Sequence, residues 1–205
     1  MNIKNRKEIA VYTFEALRNL SIDEENKKSS IRIYTDKKGN KIEIFQIKNI
    51  IEKGINIFAT IGVNEHNIDL KINNLDLGVE FIALSNKSFN QNSNIDSKIP
   101  DILTTCSSCI KNSKYKCYPG AIFLDVIEYF YPNTDMKHIL FTNLLPYMKD
   151  LKTLYLEDKV ISWLLAVPIS EEEYKYSLQH SIEELEILLE KHQVDIANLD
   201  RKSVI

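Results

Sequence analysis

The spacing of apolar positions changes character once, and abruptly, near the end of this 205-residue chain. Trp163, Leu164, Leu165, Ala166 and Val167 run without a polar interruption up to Pro168. A run this short, far from the ~20 apolar residues of a membrane span, predicts a buried strand. Beyond Pro168 the period lengthens: Tyr174, Leu178, Ile182, Leu185 and Leu189 follow one another at helical spacing, predicting one apolar stripe on one continuous amphipathic helix. Ser170 stands three residues before Glu173. Its hydroxyl is placed to accept from a first-turn amide while the Glu173 carboxylate reaches back to the Ser170 amide, and Ile169 and Tyr174 are placed as a hydrophobic staple. Strand and helix are therefore expected to share one core.

The same reading applied upstream predicts a helix from about Lys4 to Leu20, with Ile9, Ala10, Thr13, Phe14 and Leu17 on its inner side. Ile31, Ile33 and Tyr34, then Ile42, Ile44, Phe45 and Ile47, alternate on either side of Asp36-Lys37-Lys38-Gly39-Asn40 and predict a β-hairpin. Ile55 to Ile61 forms a third strand that ends at a turn permitted by Gly62, and Leu77 to Ser85 a fourth. Ile99, Leu103, Cys106 and Ile110 predict a helix from about Ile99 to Lys111 with Pro100 in its first turn. Tyr118-Pro119-Gly120 is a turn into a strand through Asp125; short strands are expected at His138 to Thr142 and Leu151 to Leu156, and the run at Val160 is expected to close the sheet. The predicted class is α+β, a mixed, largely antiparallel sheet flanked by helices, forming a single domain over 1–205 whose one place for a sub-lobe boundary is the polar stretch 86–97.

Composition narrows the function classes. The net charge is −3, and it is unevenly spread: residues 1–53 carry +4, residues 54–156 carry −1 and residues 157–205 carry −6. An acidic final quarter disfavours nucleic acid there and steers a basic partner toward it. The lysines of the first quarter (Lys4, Lys7, Lys27, Lys28, Lys37, Lys38, Lys41, with Arg6) are interleaved with carboxylates, which cancels much of the field that counterion release requires. A solvated face is the plainer reading of them, as it is of the acidic helix. The start, Met1-Asn2-Ile3-Lys4, leads into a charged amphipathic segment, and no apolar run spans a bilayer, so a cytoplasmic protein with no membrane partner is expected. Three cysteines, an odd number, point to reduced thiols rather than a disulfide framework.

Chemistry-bearing motifs are sparse. Cys106, Cys109 and Cys117 form one CxxC with a third thiol eight residues on, half of a zinc motif, with His138 or an aspartate as the obvious completing ligand. Cys106 shares the apolar stripe of its helix, and core packing is the favoured reading; a redox pair placed inside a helix would lack the N-terminal amides that activate thiols. His66, His138, His180 and His192 stand far apart, and His180 is expected to make an ordinary surface contact beside Glu183 and Glu184. There is no G-x-S-x-G, no H-E-x-x-H, and the five glycines write no phosphate loop. No catalytic residue and no cofactor is assigned.

Several stretches together resemble one family. The strand ending in V-P-I-S-E-E-E, the helix with S-I-E-E-L-E-I-L-L, the close at Asp200-Arg201-Lys202-Ser203-Val204, the pair T-I-G-V-N-E (Thr60 to Glu65) and E-F-I-A-L (Glu80 to Leu84), and the Pro119-Gly120 step are similar to bacterial Suppressor of fused domain proteins. Asn64 stands where that pattern has a small hydroxyl residue. The resemblance runs from about Ile31 to the end. It implies an immunity protein that binds and neutralises a cognate toxin of a polymorphic toxin system, often a nuclease, by occlusion. A basic toxin would find its counterpart in Glu171, Glu172, Glu183, Glu184 and Glu186. Animal relatives sequester a peptide partly by strand addition, which makes an edge strand the rival binding surface. A peptide-sequestering regulator unrelated to toxins, or a small metal-binding protein using the three cysteines, are the alternative functions.

Overall fold

The computed structural model describes residues 3–20, 29–35, 39, 41–48, 54–86, 95–113 and 115–205. In chain order these form α1 (Ile3–Arg18), β1 (Ser29–Thr35), β2 (Lys41–Ile47), β3 (Ile55–Ile61), β4 (Lys71–Ile72), β5 (Leu75–Asn86), α2 (Ile95–Ser113), β6 (Ile122–Phe123), β7 (Met136–Thr142), β8 (Leu154–Tyr155), β9 (Lys159–Ser170), α3 (Glu171–Gln179) and α4 (Ile182–Lys191). The sheet order is β1-β2-β3-β5-β9-β7-β6, with β4 on β5 and β8 on β9. Every pairing is antiparallel except β5 with β9, where Asp76–Ala83 run beside Lys159–Ala166. The class is the mixed α+β arrangement expected.

Two-residue alternation feeds a core on each face of this sheet. On β5, Val79, Phe81 and Ala83 join one cluster while Ile82 and Leu84 join the other; on β9, Leu164 and Ala166 face the first, and Trp163, Leu165, Val167 and Ile169 the second. Helix α2 covers the first cluster through Ile99, Ile102, Leu103, Cys106 and Ile110, over a stack of Phe81 on Phe141 with ring centroids 4.2 Å apart. The second cluster takes Ile9 and Leu17 of α1 together with Leu185 and Leu189 of α4. Here the uninterrupted apolar run has a consequence opposite to the one expected. A strand apolar on both faces belongs where both are covered, so β9 lies between β5 and β7 in the middle of the sheet instead of closing it.

The β1–β2 hairpin forms with Tyr34 opposite Ile42, and residues 36–38 and 40 of its turn lie outside the described residues. Gly62 takes a left-handed φ of 103° and Gly120 one of 98°, at the two turns assigned to them. Other expectations are corrected. Helix α2 begins at Ile95, so Pro100 sits inside it and not in its first turn. The strand anticipated over Leu151 to Leu156 is only Leu154–Tyr155. The single helix after Pro168 is two. Ser181 caps a new start, its hydroxyl accepting from the Glu184 amide at 3.1 Å, and the break turns Leu178 outward (68% exposed) while Ser177 is buried. A second S-x-x-E, Ser181 to Glu184, was the local signal for that break. Most of 86–97 lies outside the described residues.

Candidate interaction surface

Four of the stretches that carry the family resemblance come together in space as two pairs, each closed around a buried carboxylate. At the end of β9 the capping box forms as expected: the Glu173 amide donates to Ser170 Oγ and the Ser170 amide to Glu173 Oε2, both at 3.0 Å. The same carboxylate then receives the last turn of the chain. Arg201 Nη1 and Nη2 donate to Glu173 Oε1 and Oε2, both at 2.7 Å, and the Val204 amide donates to Oε1 at 3.1 Å. Nη2 also donates to the Pro168 carbonyl at 2.8 Å, and Ser170 Oγ meets Ser203 Oγ at 2.8 Å. Glu173 and Arg201 are both buried. Such a two-pronged pair, charge-assisted and shielded from water, ties the V-P-I-S-E-E-E stretch to D-R-K-S-V. Further upstream, the Tyr131 hydroxyl donates to Asp200 at 2.7 Å, which pushes the phenol pKa up.

Glu80 is the second such centre. It stands in the middle of the apolar strand β5, fully buried, and the turn after β3 wraps its carboxylate. Thr60 Oγ1 donates at 2.6 Å, the amides of Gly62, Val63 and Asn64 at 2.8, 3.3 and 3.3 Å, and the Asn64 side-chain amide adds another donor. Burial raises the Glu80 pKa above the ordinary glutamate value, and these hydrogen bonds oppose the rise. Asn64, which departs from the family pattern, supplies the donor a hydroxyl would supply, and its carbonyls accept from Lys159 Nζ at 3.2 Å. Gly78 is needed behind it, because a Cβ there would lie 2.8 Å from Asn64 Cβ. Glu80, the one charged residue between Leu77 and Ser85, was the sequence signal for this centre.

The five glutamates proposed as a surface are divided by their contacts. Glu171 accepts from His138 Nε2 at 2.9 Å and pairs with Lys175 at 3.2 Å, with its pKa lowered by those partners, His138 first. Glu184 meets His180 Nδ1 at 3.3 Å, the contact expected of His180, and Glu186 accepts from the Thr142 hydroxyl. Glu172 and Glu183 are exposed, and so is Glu184 beside its histidine. His138 is itself buried: its Nδ1 accepts from the Asp125 amide at 2.9 Å, which leaves the hydrogen on Nε2 for Glu171. Both of its ring nitrogens are engaged there. Cys106 and Cys117 are buried and Cys109 half-buried, none of them in a disulfide, and burial pushes the Cys106 and Cys117 thiols well up. Among the described residues no group of three or more His, Cys, Asp or Glu side chains is placed to hold a metal ion.

The rival surface, an edge strand, is also present. Strand β1 is the outer strand on its side of the sheet, and Ile31 and Ile33, on one face of it, are 56% and 64% exposed. Two apolar side chains on a sheet edge are the arrangement that an added strand would cover. No helix among the described residues is long and apolar enough to cross a membrane.

Comparison with known proteins places this architecture. The model of a family described as Suppressor of fused protein (SUFU) matches residues 38–202. The protein named Immunity protein YqcF from Bacillus subtilis (strain 168) is 33% identical over 174 residues, covering 85% of this chain and 87% of that protein. In fold, the chain is similar to a Suppressor of fused homolog from Neisseria gonorrhoeae FA 1090, with a TM-score of 0.70 at 16% identity, covering 100% of this chain and 98% of that one. Drosophila Suppressor of Fused aligns with a TM-score of 0.56 at 12% identity over 95% of this chain, which spans 49% of the fly protein.

Proposed function

This chain belongs to the Suppressor of fused family, and from that premise we propose that it is a non-catalytic immunity protein that binds a cognate toxin and neutralises it by occlusion. The observation that carries the reading is the likeness to the Bacillus immunity protein, which extends over most of both chains. The chemistry of the buried polar groups agrees with a binding role. The two buried carboxylates are saturated with donors and fasten motifs to one another, and the His138 ring is held between a backbone amide and Glu171. Groups so engaged serve the scaffold. The toxin is proposed to present a basic surface, as the substrate groove of a nuclease does, and to be met in the cytoplasm. The −6 charge of residues 157–205 would speed its capture, and Glu172, Glu183 and Glu184 are the acids of this surface exposed for it.

A second mode of binding is favoured by exposed Ile31 and Ile33: addition of a partner strand along β1, by main-chain hydrogen bonds that charge reversal would leave nearly untouched. The test is affinity capture from the native host lysate, followed by an activity assay of the recovered protein. A toxic partner whose activity is abolished at one-to-one stoichiometry supports immunity, and a non-toxic regulatory partner overturns it in favour of a peptide-sequestering regulator. With the partner in hand, the double variant Glu172→Lys, Glu183→Lys separates the modes. Acidic capture requires a slower on-rate and a shallower salt dependence; an unchanged on-rate moves the contact to the β1 edge.

A further inference from the structure

Helix α2 contains the run Thr104-Thr105-Cys106-Ser107-Ser108, and each of its four hydroxyls donates its hydrogen to the carbonyl four residues earlier. The distances are 2.7 Å from Thr104 to Pro100, 2.9 Å from Thr105 to Asp101, 2.7 Å from Ser107 to Leu103 and 2.9 Å from Ser108 to Thr104. A hydroxyl bonded back into its own helix offers its surroundings lone pairs and no hydrogen. Thr104 and Thr105 line a cavity of about 410 Å³ between α2 and the turn at Tyr129 and Phe130, a size within the usual range of ligand pockets, about 300–1,000 Å³. Asp101, half-buried, lines the same cavity, and among the described residues no cation pairs with its carboxylate. Asn112 also lines it, as do the rings of Tyr129 and Phe130, edge to face at 4.9 Å.

We propose that this cavity receives the guanidinium of an arginine displayed by the partner protein. Its lining includes a carboxylate, the lone pairs of back-bonded hydroxyls, a side-chain amide and aromatic faces. That set matches a planar cation with five N–H donors and a stacking face, and it disfavours a phosphate or carboxylate, which would meet the charge of Asp101. The proposal rests on the reading of the chain as a protein-binding module, and it places the contact on the opposite face of the sheet from α4.

The test uses the wild-type protein and N-acetyl-arginine amide as the probe, followed by amide chemical shifts in an NMR titration, with N-acetyl-citrulline amide as the neutral isostere. Expected are saturable shifts confined to residues 101–112 and 129–130, weaker by at least about tenfold with the citrulline compound and in Asp101→Asn protein, since one charge-assisted contact is lost in each. Absence of saturation, equal response to both compounds, or shifts centred on residues 183–186 would overturn the proposal. The citrulline comparison decides the matter even if Asp101→Asn protein fails to fold. A negative titration leaves the immunity reading intact, because toxin capture tests that separately; a positive titration with no toxin recovered upholds the pocket and removes the reading.

Discussion

Replacing Arg201 by Met removes both guanidinium nitrogens that grip Glu173 while keeping a side chain of comparable length. The Glu173 carboxylate would remain fully buried with only the Ser170 and Val204 amides donating to it, and the Pro168 carbonyl would lose the hydrogen bond it accepts from Nη2. Removing one partner of a buried ion pair costs about 3–5 kcal/mol, because the surviving charge stays out of water uncompensated. For a chain of this length 1 kcal/mol corresponds to about 2–4 °C in melting temperature, so a fall of about 6–20 °C is expected. The end of the chain should also loosen, since Val204 and Ser203 would be left held only by Glu173 Oε1 and Ser170 Oγ. Urea unfolding followed by circular dichroism measures the cost. A double-mutant cycle with Glu173→Gln isolates the pair, with an expected coupling above about 2 kcal/mol. Destabilisation below about 1 kcal/mol by Arg201→Met, or additive effects in the cycle, would refute the view that this pair fastens the terminal motif to the sheet.

Glu80 gives a pH test with a defined sign. Its folded pKa lies above the ordinary value of 4.5, so folding favours its protonated form, and the stability it contributes is fully present below pH 4.5 and lost as pH rises through the folded pKa. Wild-type stability measured relative to Glu80→Gln should therefore decline as pH is raised from about 4.5; a relative gain across that interval would mean that the donors around the carboxylate outweigh its burial. Gly78→Ala should destabilise by about 1–3 kcal/mol, since the new Cβ would lie 2.8 Å from Asn64 Cβ and 2.9 Å from the Asn64 carbonyl oxygen and must push back the turn that wraps Glu80. A thermal melt within a degree of wild type would show that turn to be compliant. Native protein treated with iodoacetamide at pH 8 should label at Cys109 before Cys106 or Cys117, whose buried thiols resist ionisation. Peptide mass analysis would expose the reverse order.

Local pattern was sufficient where an element is defined by its own residues. The hairpin of Ile31 to Ile47, the Ser170–Glu173 capping box, the left-handed turns at Gly62 and Gly120 and the apolar face of α2 all follow from hydrogen bonds or periods completed within a few residues. The uninterrupted run at Trp163 to Val167 also told that both faces of its strand are buried, though it could not tell which strands lie alongside. That choice is made by long-range pairing, and it set β9 parallel to β5 in the centre of the sheet. The same limit explains the helix stripe: Leu178 and Ser177 compete for one inner position, and packing after the break at Ser181 selects the smaller residue. The candidate surface was legible as a charge excess, and the His180–Glu184 contact as a local pair, but the engagement of Glu171 by His138 and of Glu186 by Thr142 depends on neighbours brought from elsewhere in the chain. Glu80 and Arg201 show why. A buried charge is tolerated only where distant donors or acceptors converge on it, and convergence is a property of the folded chain that no stretch of sequence contains by itself.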